Sequence, residues 1–205
     1  WDVVDESVAR NGPLVGKTLA QLTAELRASL VGERVWDRYG DMFPLLLKFI
    51  DASTVVSVQV HPDDTYAYNH GEPWGKTECW YVMQADSGSR LIHGLDKPIS
   101  RSVVEEAIHL NQLDKYLHHL AVKAQDVVFV PAGTVHAIGA GQLMYEIQQK
   151  SDTTYRLYDW GRTGLDGRPR DLHVAQALEV LDFTVWPEHL AKRVRFLGEK
   201  RRPLD

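Results

Sequence analysis

Polar side chains interrupt three valine- and aromatic-rich stretches of this chain in the alternating pattern of a β-strand. The stretches are residues 57–64, 76–81 and 133–139. Because successive side chains of a strand point to opposite faces, Gln59 and His61 share one face, and Lys76 and Glu78 likewise share a face. Many short runs of this kind, broken by Gly, Pro and Asp turns, predict an antiparallel sandwich or barrel.

The polar positions in these stretches suggest a metal site. Two imidazoles, a carboxylate and an amide oxygen brought together from separate strands are a ligand set for a divalent metal of zinc type. The residues are His61, His136, Glu78 and Gln59. Each of the two histidines ends a valine-rich run beside a turn. The remaining histidines lack this polar alternation and are interpreted as structural or solvated: His70, His93, His109, His118, His119, His173 and His189.

The strand pattern recurs along the chain and is flanked by helical segments. Strand-like runs are predicted at 45–50, 55–61, 77–84, 90–93, 127–130, 143–149 and 153–160. The spacing Thr18-x-x-Gln21 is typical of a capping box and predicts a helix that ends by Gly32. A second such spacing, Ser102-x-x-Glu105, predicts a helix to Lys115 or beyond, and the segment 172–181 is predicted to be a helix that closes the domain.

Two further local features are predicted from these patterns. Gly139-Ala140-Gly141 predicts a hairpin before the run 143–149. His118 and His119 fall near the end of the second predicted helix. Since neighbouring residues do not share a helix face, we expect this pair to be solvated rather than to bind one metal.

Composition limits the class of protein. With 205 residues, of which 44% are hydrophobic, the chain is long enough for one domain with a substantial core. A net charge of −5 without a basic stripe excludes a dedicated nucleic-acid surface. Cys79 is the single cysteine, so no intramolecular disulfide is possible, and the absence of a long apolar run or signal peptide predicts a cytoplasmic protein without membrane contact.

Four strings in this order resemble the short bacterial form of type I mannose-6-phosphate isomerases, which are cupin enzymes. They are Ser-Val-Gln-Val-His-Pro-Asp-Asp from Ser57, Gly-Lys-Thr-Glu-Cys-Trp-Tyr from Gly75, Gly-Thr-Val-His-Ala-Ile-Gly from Gly133, and the stretch from Glu146 to Arg162. The resemblance extends from residues 11–14 and 43–46 to about Asp171.

The resemblance implies a mainly β fold, a cupin jelly-roll barrel with a few peripheral helices and a helical insertion near residues 102–120. Family members carry a second, smaller cupin barrel after the first. We therefore expect residues 1–205 to form a single catalytic cupin domain in which the second barrel is absent or truncated.

The resemblance also implies an activity, the interconversion of mannose 6-phosphate and fructose 6-phosphate through a cis-enediol. One zinc ion per chain would be held by His61, Glu78 and His136. Gln59 would be a fourth ligand or would lie in the second shell, since an amide oxygen is a weak zinc ligand.

Four more residues receive roles from this resemblance. Lys76 lies on the strand face of Glu78, where a neighbouring cation and burial favour the neutral amine that can act as a base; the alternative is a lysine merely paired with the carboxylate. Arg156 would stabilise the enediolate and Asp152 would assist proton handling. Arg162 would bind the substrate phosphate, or else be a surface arginine in a turn.

Two other functions remain open at the level of sequence. The chain could be a non-catalytic cupin that binds a sugar phosphate, or a metal-dependent cupin oxygenase with a two-histidine, one-carboxylate site. A small molecule is the expected partner in each case. For the isomerase and for the non-catalytic cupin it is a phosphosugar. The sequence does not predict an oligomeric state.

Overall fold

Two antiparallel five-stranded sheets form most of the protein in a computed structural model that describes residues 7–163, 167–185 and 191–193. The strands are β1 (Leu45–Ala52), β2 (Val58–Val60), β3 (Glu78–Ala85), β4 (Arg90–Leu95), β5 (Leu117–Ala121), β6 (Asp126–Val130), β7 (His136–Ile138), β8 (Gln142–Gln149), β9 (Tyr155–Tyr158) and β10 (Ala191–Arg193). The first sheet has the order β1-β8-β3-β6-β10 and the second has the order β5-β4-β7-β2-β9.

The first eight strands have the order of a double Greek key. They alternate between the sheets as 1-8-3-6 and 2-7-4-5, with antiparallel neighbours throughout. This is the topology of a jelly roll. The mainly β jelly roll predicted above is therefore confirmed, and β9 and β10 each extend one sheet at its edge.

An apolar core fills the space between the two sheets. The first sheet contributes Trp80, Val82 and Met144, and the second contributes Leu91 and Ile138, all of them buried. These residues alternate along their strands with outward-facing ones, as expected for a sheet with one face in the core. Burial of this apolar face holds the two sheets together.

Helices surround the sheets. They are α1 (Leu19–Leu26), α2 (Ala28–Val31), α3 (Glu33–Tyr39), α4 (Asp64–Asn69), α5 (Arg101–His109) and α6 (Val174–Val180), with one 3-10 turn at Leu113–Tyr116. A second core includes Val58 and Val60 from β2, Val104 from α5 and Leu178 from α6, so these two helices cover the outer face of the second sheet. In the described parts of the chain, no helix is long and apolar enough to cross a membrane.

The first predicted helix is confirmed at its start and interrupted before its predicted end. Thr18 and Gln21 form the reciprocal capping box: the Thr18 hydroxyl accepts from the Gln21 amide at 3.1 Å, and the Gln21 side chain accepts from the Thr18 amide at 2.9 Å. The helix ends at Leu26 because Arg27 has a φ of 51°. A separate turn of helix, α2, then runs to Val31, and α3 was not predicted.

The second predicted capping box is wrong. The residue that caps α5 is Ser100, whose hydroxyl accepts from the Val103 amide at 3.4 Å, and Ser102 lies inside the helix. The helix also ends at His109 rather than at Lys115 or beyond. A hydroxyl two residues earlier in the chain satisfies the free amides of the first turn, and the sequence spacing alone did not distinguish the two serines.

His118 and His119 lie on β5, not at the end of a helix. Both are partly accessible and lie near carboxylates: His118 is 3.8 Å from Asp96, and His119 is 3.1 Å from Asp114. Because neighbouring residues on a strand point to opposite faces, the two rings diverge. The expectation that they would not share a metal agrees with this geometry.

The hairpin predicted at Gly139-Ala140-Gly141 is also wrong. Strand β7 pairs with β4 and β2, whereas β8 pairs with β1 and β3, so these residues carry the chain from one sheet to the other. The crossing brings the backbone close to another strand, since a Cβ at Gly139 would lie 1.9 Å from the carbonyl oxygen of Arg90. Glycine is required there for close approach rather than for a hairpin turn.

The corrected helix cap can be tested with a matched pair of serines. Ser100→Ala should lower the free energy of unfolding by about 1 kcal/mol, because it leaves an amide of the first turn of α5 without its side-chain acceptor. Ser102→Ala should change the free energy of unfolding by less than about 0.5 kcal/mol. Urea denaturation followed by circular dichroism measures both, and a larger loss for Ser102→Ala would contradict the assignment.

Candidate active site

Three of the predicted ligands meet inside the jelly roll. His61 follows β2, Glu78 begins β3 in the opposite sheet, and His136 begins β7 next to β2. All three side chains are buried, and their ligand atoms lie within 4.8 Å of one another. Gln59 is the register partner of His136 on the neighbouring strand, so its amide lies beside the three.

The backbone fixes both imidazoles so that the same ring nitrogen points to the carboxylate. Nδ1 of His61 donates to the carbonyl oxygen of Thr153 at 3.0 Å, and Nδ1 of His136 donates to that of Thr134 at 2.8 Å. Their Nε2 atoms lie 3.2 Å and 3.7 Å from the carboxylate oxygens of Glu78. Neither buried Nε2 makes a hydrogen bond of acceptable geometry. Unpaired, fixed lone pairs around a carboxylate are what a metal ligand set requires.

The ionisation states also fit metal binding. Burial lowers the pKa of His61, and burial together with the neighbouring His61 lowers the pKa of His136 to about 3. Burial alone would raise the pKa of Glu78, but its interactions with the two imidazoles and Lys76 outweigh burial and hold that pKa well below its usual range. Two neutral imidazoles and one carboxylate can bind a divalent cation without first losing protons.

Lys76 lies beside the three ligands, as its alternation with Glu78 predicted. Its ammonium nitrogen is 3.4 Å from Oε1 of Glu78 and donates to the hydroxyl of Thr154 at 3.4 Å. The side chain is buried, with 7% of its area exposed. The residue precedes β3, and its own amide donates to the carbonyl oxygen of Pro62 at 2.9 Å, which fixes this loop against the end of β2.

Sequence reasoning missed a second buried carboxylate with its partners. The indole nitrogen of Trp80 donates to Oε2 of Glu78 and to Oε1 of Glu146, both at 3.1 Å. Lys48 forms an ion pair with Glu146 at 3.1 Å. Burial, followed by repulsion from Glu78, raises the pKa of Glu146. A signal was present, since Lys48 and Glu146 occupy the inward positions of two predicted strands.

These groups surround one cavity of about 540 Å³. Its polar wall is formed by Lys48, Gln59, Lys76, Glu78, Glu146 and Thr154, and its apolar wall includes Leu46, Val56, Trp80 and Ile138. A cavity of this size with several convergent polar groups suits a small polar molecule.

The remaining predicted residues lie around this cavity rather than in its wall. Arg156 is the register partner of Gln59 on β9; its Nε donates to the hydroxyl of Ser57 at 3.3 Å and its Nη1 to the carbonyl oxygen of Asp171 at 2.9 Å. Asp152 is exposed, in the connection between β8 and β9. The structure thus does not bring Asp152 into contact with the three ligands.

Arg162 is held by the turn that follows β9. Its Nη1 donates to the carbonyl oxygen of Val55 at 2.6 Å and its Nη2 to the carboxylate of Asp159 at 2.5 Å. Its Nε donates to the carbonyl oxygen of Asp159 at 3.3 Å. About a third of the side chain, 35%, remains exposed.

Known proteins with similar sequences are mannose-6-phosphate isomerases. Residues 4–73 match the family described as phosphomannose isomerase type I, catalytic domain. The chain is 45% identical over 175 residues to the mannose-6-phosphate isomerase of Streptococcus mutans, a match that covers 85% of this chain and 54% of that protein. It is 43% identical over 185 residues to mannose-6-phosphate isomerase ManA of Bacillus subtilis, covering 89% and 56%.

The fold agrees with the sequence similarity. The crystal structure of the mannose 6-phosphate isomerase from Bacillus subtilis superposes with a TM-score of 0.78 at 36% identity, over 96% of this chain and 60% of that one. The resemblance to type I mannose-6-phosphate isomerases is confirmed. The chain spans about half the length of the curated relatives it matches.

Replacing both histidines should abolish metal binding. The variant His61→Ala/His136→Ala removes two of the three convergent ligand groups, so we expect its divalent metal content to fall from about one ion per chain to near zero. The matched control His118→Ala/His119→Ala removes two partly exposed imidazoles of β5 and should keep its metal. Elemental analysis after metal loading and dialysis measures both, and full metal content in the first variant would contradict the site.

Proposed function

We propose that this chain carries the catalytic site of a metal-dependent aldose–ketose isomerase that interconverts mannose 6-phosphate and fructose 6-phosphate. The observation that carries the proposal is the position of Lys76, which lines the cavity together with Glu78 and Gln59 and whose side-chain nitrogen lies 3.4 Å from the Glu78 carboxylate. Isomerisation requires a proton-transfer group beside a polarised carbonyl. The similarity to mannose-6-phosphate isomerases over 85% of the chain supports this choice of substrate.

The metal assigned to this site is zinc, one ion per chain. Two imidazole nitrogens and one carboxylate are a ligand set typical of catalytic zinc, which keeps a coordination position for the substrate. Gln59 pairs with His136 on the neighbouring strand and is the candidate for a fourth ligand. When bound, the ion would supply a Lewis acid that polarises the carbonyl oxygen of the substrate and orients the neighbouring hydroxyl. Trp80 holds the second oxygen of Glu78 and so limits rotation of this ligand.

Lys76 is assigned the transfer of the proton between the two carbons. In this proposal the Lys76 side chain takes the proton from C2 of the aldose, and the electron pair of the C–H bond becomes the double bond of the cis-enediol while the C1 oxygen gains a proton. Return of the proton to C1, with loss of the proton from the C2 hydroxyl, gives the ketose. Thr154, which accepts a hydrogen bond from Lys76, orients the amine.

Arg156 and Asp152 are assigned supporting roles. The guanidinium of Arg156 is anchored by Ser57 and by the carbonyl oxygen of Asp171, and its Nη2 remains to stabilise the enediolate oxygen. Because Asp152 is exposed, we assign to it the exchange of hydroxyl protons with solvent.

Arg162 is assigned to the phosphate of the substrate. A partly exposed guanidinium held in one orientation suits a phosphate oxygen. All of these groups belong to one cupin domain, which we take to be the catalytic unit. We also propose a cytoplasmic location, which a phosphorylated substrate and a single free cysteine support.

Substituting Lys76 should separate catalysis from metal binding. Lys76→Met keeps an unbranched side chain that is one atom shorter and removes the amine, so we expect turnover to fall about 100-fold or more while metal content is retained. Transfer of solvent hydrogen into the product should fall in parallel. The measurement is a coupled isomerase assay with zinc-loaded protein.

The exposed Lys115→Met provides the control for this substitution and should keep full activity. Undiminished turnover in Lys76→Met would reduce Lys76 to an ion-pair partner of Glu78. Absence of isomerase activity in zinc-loaded wild-type protein, with phosphosugar binding retained, would favour the non-catalytic cupin instead.

Substitutions of Arg156 and Arg162 should change different kinetic constants. Arg156→Ala should mainly lower kcat, because its contact is made with an oxygen whose charge develops in the transition state. Arg162→Ala should mainly raise KM for mannose 6-phosphate, because the phosphate is bound throughout the reaction. Free mannose should be a poor substrate and insensitive to Arg162→Ala. Equal loss of kcat in both variants would contradict these roles.

A further inference from the structure

A buried carboxylate holds two guanidinium groups at the end of β9. Asp159 has 6% of its surface exposed. Arg170 donates to it through Nε at 2.7 Å and through Nη2 at 2.5 Å, and Arg162 donates to the same oxygen, Oδ1, at 2.5 Å. The two guanidinium groups are therefore neighbours, and one carboxylate does not balance their combined charge.

A third guanidinium lies near Arg170, because Nη1 of Arg156 donates to the carbonyl oxygen of Asp171, the next residue in the chain, at 2.9 Å. Burial, followed by repulsion from Arg170, lowers the pKa of Arg156, against the opposing attraction of Asp159 and Asp171. The three arginines and two aspartates leave one uncompensated positive charge. Proteins seldom gather guanidinium groups in this way without an anion to receive them.

Arg170 has donors to spare. A guanidinium carries five N–H groups, of which this one gives two nitrogens to Asp159. Within the described residues, its Nη1 has no hydrogen-bond acceptor, and 45% of the side chain is exposed. Arg162 uses each of its three nitrogens once, on Val55 and Asp159, so two of its five N–H groups remain.

The arginine group lies next to the cavity. Arg156 pairs in register with Gln59, which pairs in turn with the metal-ligand candidate His136. Paired positions on neighbouring strands are about 5 Å apart, so Arg156 lies beyond Gln59 in a row that begins at His136. Arg162 also binds the carbonyl oxygen of Val55, the residue before Val56 in the cavity wall.

We propose that Arg170 is a second phosphate-binding residue and that Asp159 is the positioning residue that orients both Arg162 and Arg170 toward the same anion. The inference rests on the proposed function, in which the substrate carries a phosphate. In this proposal the phosphate dianion accepts hydrogen bonds from Nη1 of Arg170 and from the remaining N–H groups of Arg162. Its charge also relieves the repulsion among the three guanidinium groups.

The first experiment uses inorganic phosphate as the probe and requires no turnover. Isothermal titration of zinc-loaded protein with phosphate should give a dissociation constant that rises about tenfold or more in Arg170→Ala, the loss expected for a charge-assisted hydrogen bond. Arg170→Lys should recover part of the affinity, because charge returns without the fork of donors. Arg34→Ala, the same change at an exposed position of α3, should leave phosphate affinity unaltered.

The second experiment tests the positioning role of Asp159. Asp159→Asn keeps the size of the side chain but releases the guanidinium groups, so phosphate affinity should fall although the protein becomes more positive. The effects of Asp159→Asn and Arg170→Ala should be non-additive in a double-mutant cycle. If the ion pair were purely structural, its loss would lower the free energy of unfolding in both variants and leave phosphate affinity unchanged. This result would overturn the inference.

Enzyme kinetics separate this inference from the proposed function. Arg170→Ala should raise KM for mannose 6-phosphate with little change in kcat and no change for free mannose. Isomerase activity with a KM indifferent to Arg170→Ala would overturn the subsite and leave the proposed function standing. Phosphate binding that depends on Arg170, in a protein without isomerase activity, would overturn the function and leave the anion site standing. Circular dichroism of each variant confirms that the comparison is made between folded proteins.

Discussion

The ionised carboxylate of Glu78 is enclosed between two facing sheets, and the residues around it must stabilise its charge. An ionised group without partners would be very costly in such an interior. Here each of its oxygens has polar neighbours: Lys76 and His61 lie near one, and Trp80 and His136 lie near the other. The arrangement tolerates the charge and also leaves the two imidazole lone pairs directed at the same point.

The jelly-roll topology makes this enclosure possible. Gln59 and His136 are far apart in sequence yet are register partners, because β2 and β7 are neighbours in one sheet. Glu78 enters from the other sheet, at the start of β3. The ligands are thus carried on three strands whose relative positions are fixed by two sheets and the apolar core between them, rather than on a flexible loop.

The site has chemically different ends. Around the three ligands, burial favours neutral imidazoles and one carboxylate, an environment suited to a cation and to proton transfer. Beyond Gln59, guanidinium groups gather around Asp159 and create an environment suited to an anion. A substrate with a carbonyl at one end and a phosphate at the other matches this polarity. Arg162 and Arg170 are partly exposed, whereas His61, Glu78 and His136 are enclosed.

Local pattern and resemblance were sufficient for the mainly β fold and the first helix cap, and they named His61, Glu78 and His136, which the structure brings together. Strand alternation alone placed Lys76 and Glu78 on a common face, because that relation depends only on the geometry of one strand. Errors arose where the answer depended on another part of the chain. The spacing at Ser102 did not distinguish it from Ser100, and the glycines at 139 and 141 did not reveal that β7 and β8 belong to different sheets.

The partners of side chains were decided by the tertiary structure, for the same reason. Trp80 reaches both Glu78 and Glu146, Lys48 is paired with Glu146, and Asp159 holds Arg162 together with Arg170. Apart from Trp80 to Glu78, which lie two residues apart on β3, each of these contacts requires either two strands to be neighbours or a turn to fold back. The sequence by itself therefore determined which residue types face inward on each strand. Only the tertiary structure decided which of them meet, because the distance between residues far apart in the chain is set by strand pairing and by the packing of the two sheets, not by local geometry.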